Sequence, residues 1–369
     1  MSVWSDWVSA ELAHIEAAGQ WRVTRAFDGI VQGPLNGREV INFAANDYLG
    51  LSFHPTVREA ARDAIEQFGS GAGASRLVTG TRSLHARLEA ELAQWKGEAK
   101  ALVFPTGYAA NLGVLTTFGA QGATIFSDAL NHASIIDGCK LAKARTVVFP
   151  HNDLDALEAQ LRATDGRKLV VTEAVFSMDG DLAPLAALAE ICGRYGALLV
   201  IDEAHAVFGT GKDTIACDHL RIGTLSKTLG ALGGWVAGSA SVIDLLVNRA
   251  RTFIFTTGLS PADTAAALAA LQICRSEEGE QLRRKLRANI DAIRSGHPSP
   301  IVPIVLGSER AALDASRALL EQGIFIPAIR PPTVPRGTSR LRLTLSAAHT
   351  DEMIARLVAA LRVAIGDDV

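Results

Sequence analysis

From residue 101 onward the chain alternates between two hydrophobic periods, and no other feature narrows its fold as much. Apolar runs of strand length fall at 101–104, 123–126, 146–149, 169–172, 197–201, 220–224 and 235–237. Between the earlier runs, or just before them, lie segments of helical period at 84–95, 109–118, 132–142, 154–163 and 184–195. Short apolar runs separated by amphipathic helices build strand–helix–strand units, which assemble into a mostly parallel sheet covered on both faces. The sequence therefore predicts an α/β protein with a large, mostly parallel, seven-stranded sheet.

The flanks read differently. Residues 1–45 form an amphipathic N-terminal helix, then short strands at 22–31 and 39–43 around the turn Gly33-Pro34-Leu35-Asn36-Gly37. The large domain is expected over 46–250. Over 251–369, linking helices at 261–276 and 277–295 lead to a smaller C-terminal α+β domain. Its strands are expected at 301–306, 324–328 and 340–345, and its helices at 311–322 and 351–365. A chain of 369 residues is long for one small core and short for three domains. With no internal repeat and no low-complexity linker, the two lobes are expected to pack together.

Composition excludes several classes of function. Lys and Arg number 36 against 39 Asp and Glu, a formal charge of −3, with no block of five like charges. The basic stripe of a nucleic-acid binder and the polybasic anchor of a membrane-surface protein are both missing. The longest uncharged stretch, 101–127, contains Pro105, Gly107, Asn111, Gly113, Gly119, Gln121 and Gly122, so no membrane-spanning helix fits it. The N-terminus lacks the basic and apolar regions of a signal peptide. Cys139, Cys192, Cys217 and Cys274 stand far apart without a C-x-x-C pair, which points to a reducing cytoplasm and away from zinc or disulfides.

Ligands of an open parallel sheet sit beyond the carboxyl ends of its strands, and four loops there are chemically loaded. In Pro105-Thr106-Gly107-Tyr108, a glycine at a helix start lets backbone N–H groups approach a phosphate; the turn also serves as an ordinary connection. Asp128-Ala129-Leu130-Asn131-His132 puts a histidine at a helix start, placed to stack on a flat ligand or simply to pack the helix end. Asp202-Glu203-Ala204-His205 brings two acids and a histidine out of a central strand, and a buried carboxylate needs a cationic partner.

That D-E-A-H string would hold magnesium in a helicase, but a P-loop must precede it. Gly211-Lys212 follows it, with Ala206 and Asp213 where glycine and a hydroxyl are required. Gly69 to Ala74 satisfies G-x-G-x-x-[GA], yet it follows a helix instead of a strand. In the fourth loop, Thr224-Leu225-Ser226-Lys227, hydroxyls flank a single lysine that 16 uncharged residues follow. An apolar setting disfavours the ammonium form and frees the amine as a nucleophile; the alternative is a lysine that snorkels to the surface. One ligand accounts for all four loops. Pyridoxal 5′-phosphate (PLP) requires a lysine, an acid for its ring nitrogen, an aromatic stacking partner and a phosphate cradle. Lys227, Asp202, His132 and the loops at Gly107-Tyr108 and Thr224-Ser226 match that set.

Eight segments extend the match over nearly the whole chain: N-D-Y-L-G-L (46–51), G-A-S-R-L-V-T-G-T (73–81), P-T-G-Y-A-A-N (105–111), S-D-A-L-N-H-A-S-I (127–135), E-A-V-F-S-M-D-G-D-L-A-P-L (173–185), D-E-A-H (202–205), G-T-L-S-K-T-L-G (223–230) and R-P-P-T-V-P-R-G-T-S-R-L-R-L-T-L-S (330–346). In these segments the chain resembles the α-oxoamine synthases, a family of fold-type-I PLP-dependent transferases. The resemblance implies that fold and a decarboxylative condensation of an amino acid with an acyl thioester. A-I-R-P-P-T-V-P and L-R-L-T-L-S-A-A-H are most similar to the branch that joins L-alanine to a pimeloyl thioester; sister branches use glycine or serine with other acyl-CoA partners.

The resemblance also implies roles. Lys227 carries the cofactor as a Schiff base and later moves the Cα proton, Asp202 pairs with the ring nitrogen, and His132 stacks on the ring. His205 hydrogen-bonds the phenolic oxygen, with Ser177 near the same edge. Gly107, Tyr108, Thr224 and Ser226 surround the phosphate and the lysine, joined by a hydroxyl from Thr256 or Thr257 of a second subunit, so a homodimer is expected. Arg342 holds the amino-acid carboxylate with help from Asn46, and Arg22 and Thr333 are candidates for the acyl-CoA or its pimeloyl end. No metal is expected. One departure stands out. Relatives follow D-E-A-H with a Thr-Gly or Val-Gly pair and an Arg-Gly loop, whereas here Ala206-Val207-Phe208 follows and the path to Lys227 is several residues shorter.

Overall fold

Asn36 and Gly37 both have positive φ, 50° and 82°, the two-residue turn whose twist matches a β-hairpin. They join β1 (Gln32–Leu35) to β2 (Arg38–Asn42) in an antiparallel pair. This corrects the expected turn over 33–37. Residues 22–31 are irregular chain, with a single bridge from Phe27 to Leu35, because the Asn-Gly turn claims the preceding four residues as its strand. The structure, a computed structural model, describes residues 2–208 and 215–366. The shortened path after His205 therefore lies partly outside the described residues.

Seven strands follow: β3 (Lys100–Phe104), β4 (Ala123–Asp128), β5 (Arg145–Phe149), β6 (Arg167–Glu173), β7 (Ala197–Asp202), β8 (His219–Thr224) and β9 (Gly234–Gly238). They form one sheet in the order β3-β9-β8-β7-β6-β4-β5. All neighbouring pairs are parallel except those of β9, which is antiparallel to both β3 and β8. In β7 the side chains of Leu199, Val200 and Ile201 are all fully buried. Val200 packs into one apolar cluster, and Leu199 and Ile201 into another across the sheet. Each buried side chain of this size stabilises by about 1.5–3 kcal/mol. Helices cover both faces, so the strand reads as one continuous apolar run.

The helices Pro261–Cys274 and Glu277–Asp291 lead to β10 (Ile301–Gly307), β11 (Ile324–Phe325), β12 (Ala328–Ile329) and β13 (Ser339–Thr344). The single strand expected over 324–328 is two. β11 extends β2 in parallel, and β12 pairs with β13 in a sheet ordered β10-β13-β12. Pro327 separates them, since it offers no N–H to a ladder. Backbone bonds from Thr344 to Phe43 and from Ala347 to Tyr48 lock the segment after β2 against the end of β13. Those two segments carry Asn46, Tyr48 and Arg342. Among the described residues no helix is long and apolar enough to cross a membrane.

Candidate active site

β7 ends at Asp202, and successive residues there point to opposite sides. Glu203 turns to one side and meets Lys96 at 2.6 Å and Arg221 at 2.5 Å. Burial alone would raise its pKa, but these two cations outweigh that and hold it below the ordinary carboxylate value. Asp202 turns to the other side, into a cavity of about 250 Å³. It is only 5% exposed. Its donors are neutral: Asn111 Nδ2 at 2.7 Å and the Ala204 N–H at 2.9 Å. Among the described residues it forms no ion pair.

The opposite wall is the start of the helix Gly107–Phe118, capped by Thr106, whose hydroxyl accepts from the Ala109 N–H at 3.0 Å. Backbone N–H groups at such a terminus favour an anion. Glycine is required beside it: a Cβ on Gly234 would lie 2.4 Å from the Thr106 carbonyl oxygen. On the facing loop, Thr224 donates to the Gly233 carbonyl at 2.9 Å and accepts from the Ser226 N–H at 3.1 Å. The Ser226 hydroxyl sits 2.7 Å from Thr224 Oγ1 at the exposed rim. Tyr108 also lines the cavity and donates to Asp137 at 2.5 Å.

His132 caps the helix Ala133–Leu141. Its Nδ1 accepts from the Ser134 N–H at 3.2 Å and lies 2.8 Å from the Ser134 hydroxyl. Ser134 in turn accepts from Asn111 Nδ2 at 3.0 Å, so Asn111 links the ring's support to Asp202. The ring is open to the cavity, yet the protein packed around it lowers its pKa. A neutral imidazole results.

A second chain of hydrogen bonds runs from Lys227 to Arg342. Asn46 Oδ1 accepts from both terminal nitrogens of Arg342 at 3.2 Å and from Tyr48 at 3.2 Å. With its proton so used, the Tyr48 oxygen faces His205 Nδ1 at 2.5 Å as acceptor, leaving Nε2 to accept from Lys227 Nζ at 2.9 Å. Burial lowers the pKa of Lys227, and burial with the Lys227 and Arg342 charges holds His205 well below the ordinary imidazole value. Arg342 is 6% exposed and also donates to the Ser177 carbonyl at 2.6 Å and to Thr344 at 3.1 Å. Among the described residues it, too, forms no ion pair.

One cavity thus gathers Gly107, Tyr108, His132, Asp202, His205, Thr224, Ser226 and Lys227. Asn46, Ser177 and Arg342 join it through the second chain. Arg22 lies apart, in a cleft with Leu12, Trp21 and Pro332, and Thr333 lines a further cleft that shares Pro332 and includes Asn131. Thr256 and Thr257 do not line the cavity of their own chain; Thr257 bridges to Ser75. The residues that sequence reasoning left without a role are Tyr48, Asn111, Ser134 and Glu173. Glu173 had a signal, since it ends β6 as Asp202 ends β7, and the carboxyl-end rule applies equally to both.

Residues 38–361 match the family model described as aminotransferase class I and II. The chain belongs to that family. It is 47% identical to the 8-amino-7-oxononanoate synthase of Geobacter sulfurreducens, over 96% of each chain. It is 46% identical to that of Anaeromyxobacter dehalogenans, over 98% of this chain and 96% of the relative. Among solved structures it superposes on a serine palmitoyltransferase from S. paucimobilis that carries a PLP–myriocin aldimine. The TM-score is 0.91 and the identity 30%, with 99% of this chain and 98% of that chain covered. An 8-amino-7-oxononanoate synthase from Francisella tularensis matches with a TM-score of 0.74 at 27% identity, covering 87% and 96%. These relatives are α-oxoamine synthases, so the family resemblance seen in the motifs holds, as does the PLP-transferase fold.

Proposed function

We propose that this chain condenses L-alanine with a pimeloyl thioester, releasing CO₂ and the carrier thiol, to form 8-amino-7-oxononanoate for biotin synthesis. The observation that carries the reading is that two buried charged side chains near the half-buried amine of Lys227, Asp202 in its cavity and Arg342 at the end of its hydrogen-bond chain, form no ion pair among the described residues. A buried ion without a counter-ion is unstable, and PLP with an amino acid supplies both: a protonated ring nitrogen for Asp202 and a carboxylate for Arg342. The donor set fits the cofactor in every part, with the helix start at Gly107, Thr224 and Ser226 for its phosphate and Lys227 for its aldehyde.

When bound, PLP supplies an electron sink for the charge left on the amino-acid Cα. The protein does the rest. Asp202, kept in place by Asn111 and Ala204, would hold the proton on the ring nitrogen, and neutral His132 would lie against the ring. Lys227, whose amine burial keeps from being permanently charged and so leaves free to accept a proton, takes and returns the Cα proton; such general base catalysis contributes about 10²–10⁴-fold. Arg342 grips the carboxylate and so orients the Cα–H bond. His205 and Ser177 would serve the phenolic edge. The clefts at Arg22 and Thr333, joined through Pro332, are suited to the acyl chain and its carboxylate.

A second copy of the chain completes the site. The helix Val3–Ala17 buries none of its residues, and Trp4, Trp7 and Phe255 are exposed by 73%, 55% and 69%. A homodimer would cover these surfaces and bring a hydroxyl of the pair Thr256 and Thr257 to its partner's phosphate cradle. Product mass after mixing the PLP-loaded protein with L-alanine and pimeloyl-CoA tests the reaction. The expected product is 8-amino-7-oxononanoate; turnover with glycine or serine in place of alanine would assign the chain to a sister reaction. Sedimentation tests the dimer.

A further inference from the structure

β6 and β7 end side by side, with Glu173 directly in register with Asp202. The Glu173 side chain is buried (2% exposed) in the wall of the Lys227 cavity, and its Oε1 has no hydrogen-bond partner among the described residues. Two carboxylates sharing one cavity do not both ionise readily. Both oxygens of Asp202 hold a donor, Oδ1 from the Ala204 N–H and Oδ2 from the Asn111 amide, whereas Glu173 Oε1 holds none, so the shared proton belongs on that oxygen. We propose that Glu173 acts as a neutral carboxylic acid whose Oε1–H donates a hydrogen bond to an anionic oxygen of the molecule bound in the cavity.

The groups facing Glu173 agree with this assignment. Asp202 on β7 repels a second negative charge, while Lys227 after β8 and the backbone N–H groups of His132 and Ser177 favour one. Burial is the largest influence and, with Asp202, raises the pKa to about 8. A buried polar atom without a partner is costly, and an O–H on a cavity wall is relieved only by an acceptor that enters the cavity. An ionised carboxylate there would repel both a phosphate-bearing cofactor and an amino-acid carboxylate. The proposal rests on the reading that PLP and an amino acid fill this cavity, and the acceptor belongs to one of them.

Infrared difference spectra between the wild-type protein and Glu173→Gln read the carboxylic-acid C=O stretch directly. Cofactor-free protein at neutral pH is expected to show that band in the wild type only. A shift on adding PLP alone places the acceptor on the cofactor; a shift only on adding L-alanine to the loaded protein places it on the substrate. Absence of the band, or a band that neither ligand moves in protein showing the visible absorbance of bound PLP, overturns the proposal. Failure of the wild type to develop that absorbance refutes the functional reading instead, and the cofactor-free band still decides where the proton sits. Glu173→Gln keeps a neutral donor and is expected to bind PLP and alanine within about threefold of wild type. Glu173→Ala should lose about tenfold to a hundredfold in affinity for the ligand that moves the band. A glutamine variant as weak as the alanine variant would overturn the neutral-donor role.

Discussion

Lys227 Nζ lies 2.9 Å from His205 Nε2, and Tyr48 holds the other nitrogen of the same ring at 2.5 Å. The amine's orientation therefore depends on a phenol that the reacting groups never touch. Tyr48→Phe removes that hold and leaves His205 Nδ1 buried without a partner, at a cost of about 1–3 kcal/mol. Thermal unfolding should show the loss. The visible band of lysine-bound PLP should persist, because Lys227 is intact, while kcat falls about tenfold. An unchanged kcat would detach Tyr48 from the chemistry.

The Asn111 side chain touches both Asp202 and Ser134. Asn111→Ala leaves Asp202 with a single donor and should weaken PLP binding by about tenfold to a hundredfold. Asn111→Asp should be worse, since a second carboxylate competes with Asp202 for the proton. Titrating PLP into cofactor-free protein ranks the three proteins, and an aspartate variant that binds as well as wild type contradicts the role given to Asp202.

Gly234 passes directly under the helix start that faces the cavity. In Gly234→Ala the new Cβ meets the Thr106 carbonyl oxygen at 2.4 Å and the Gly107 nitrogen at 2.5 Å, both backbone atoms. Overpacking of this kind costs about 1–3 kcal/mol, and the displaced helix start should lower PLP affinity as well. Gly71→Ala is the control. Nothing lies within 4 Å of its Cβ, so its stability should stay within about 0.5 kcal/mol of wild type.

His151 bridges Asp128 at 3.0 Å and Asp181 at 2.8 Å, tying the loop before His132 to the one after Ser177. Burial lowers the imidazole pKa, but the two aspartates outweigh it and the net shift is upward. A group whose folded pKa exceeds its unfolded value stabilises fully below the unfolded pKa, and the benefit disappears as pH rises through the folded one. The Tm difference between wild type and His151→Asn should accordingly be largest below the ordinary imidazole value near 6.5 and shrink with rising pH. A difference independent of pH would show that His151 acts by packing alone.

The central strands of the large sheet were legible because burial on both faces keeps them mostly apolar, as in β7, of which 197–201 falls one residue short. The small sheets were harder. One proline divided 324–328 between two sheets, and an Asn-Gly turn moved a hairpin by several residues. In the cavity, Lys227, Asp202 and His132 announced themselves as reactive side chains at strand ends. Asn111 did not, because a neutral amide one turn into a helix is unremarkable until Asp202 arrives from 91 positions away. The clefts at Arg22 and Thr333 were invisible for the same reason: the first joins Arg22 to Pro332 and the second joins Thr333 to Asn131, residues far apart along the chain.

The contact between Asn46 and Arg342 spans 296 positions. A chain synthesised from its N-terminus completes all seven strands of the large sheet, with Lys227 and Asp202 in place, before β13 exists. Arg342 is added last. On the proposed roles, the residues that would secure a cofactor precede the guanidinium that would grip an amino acid, so substrate recognition would wait for the final sheet to dock.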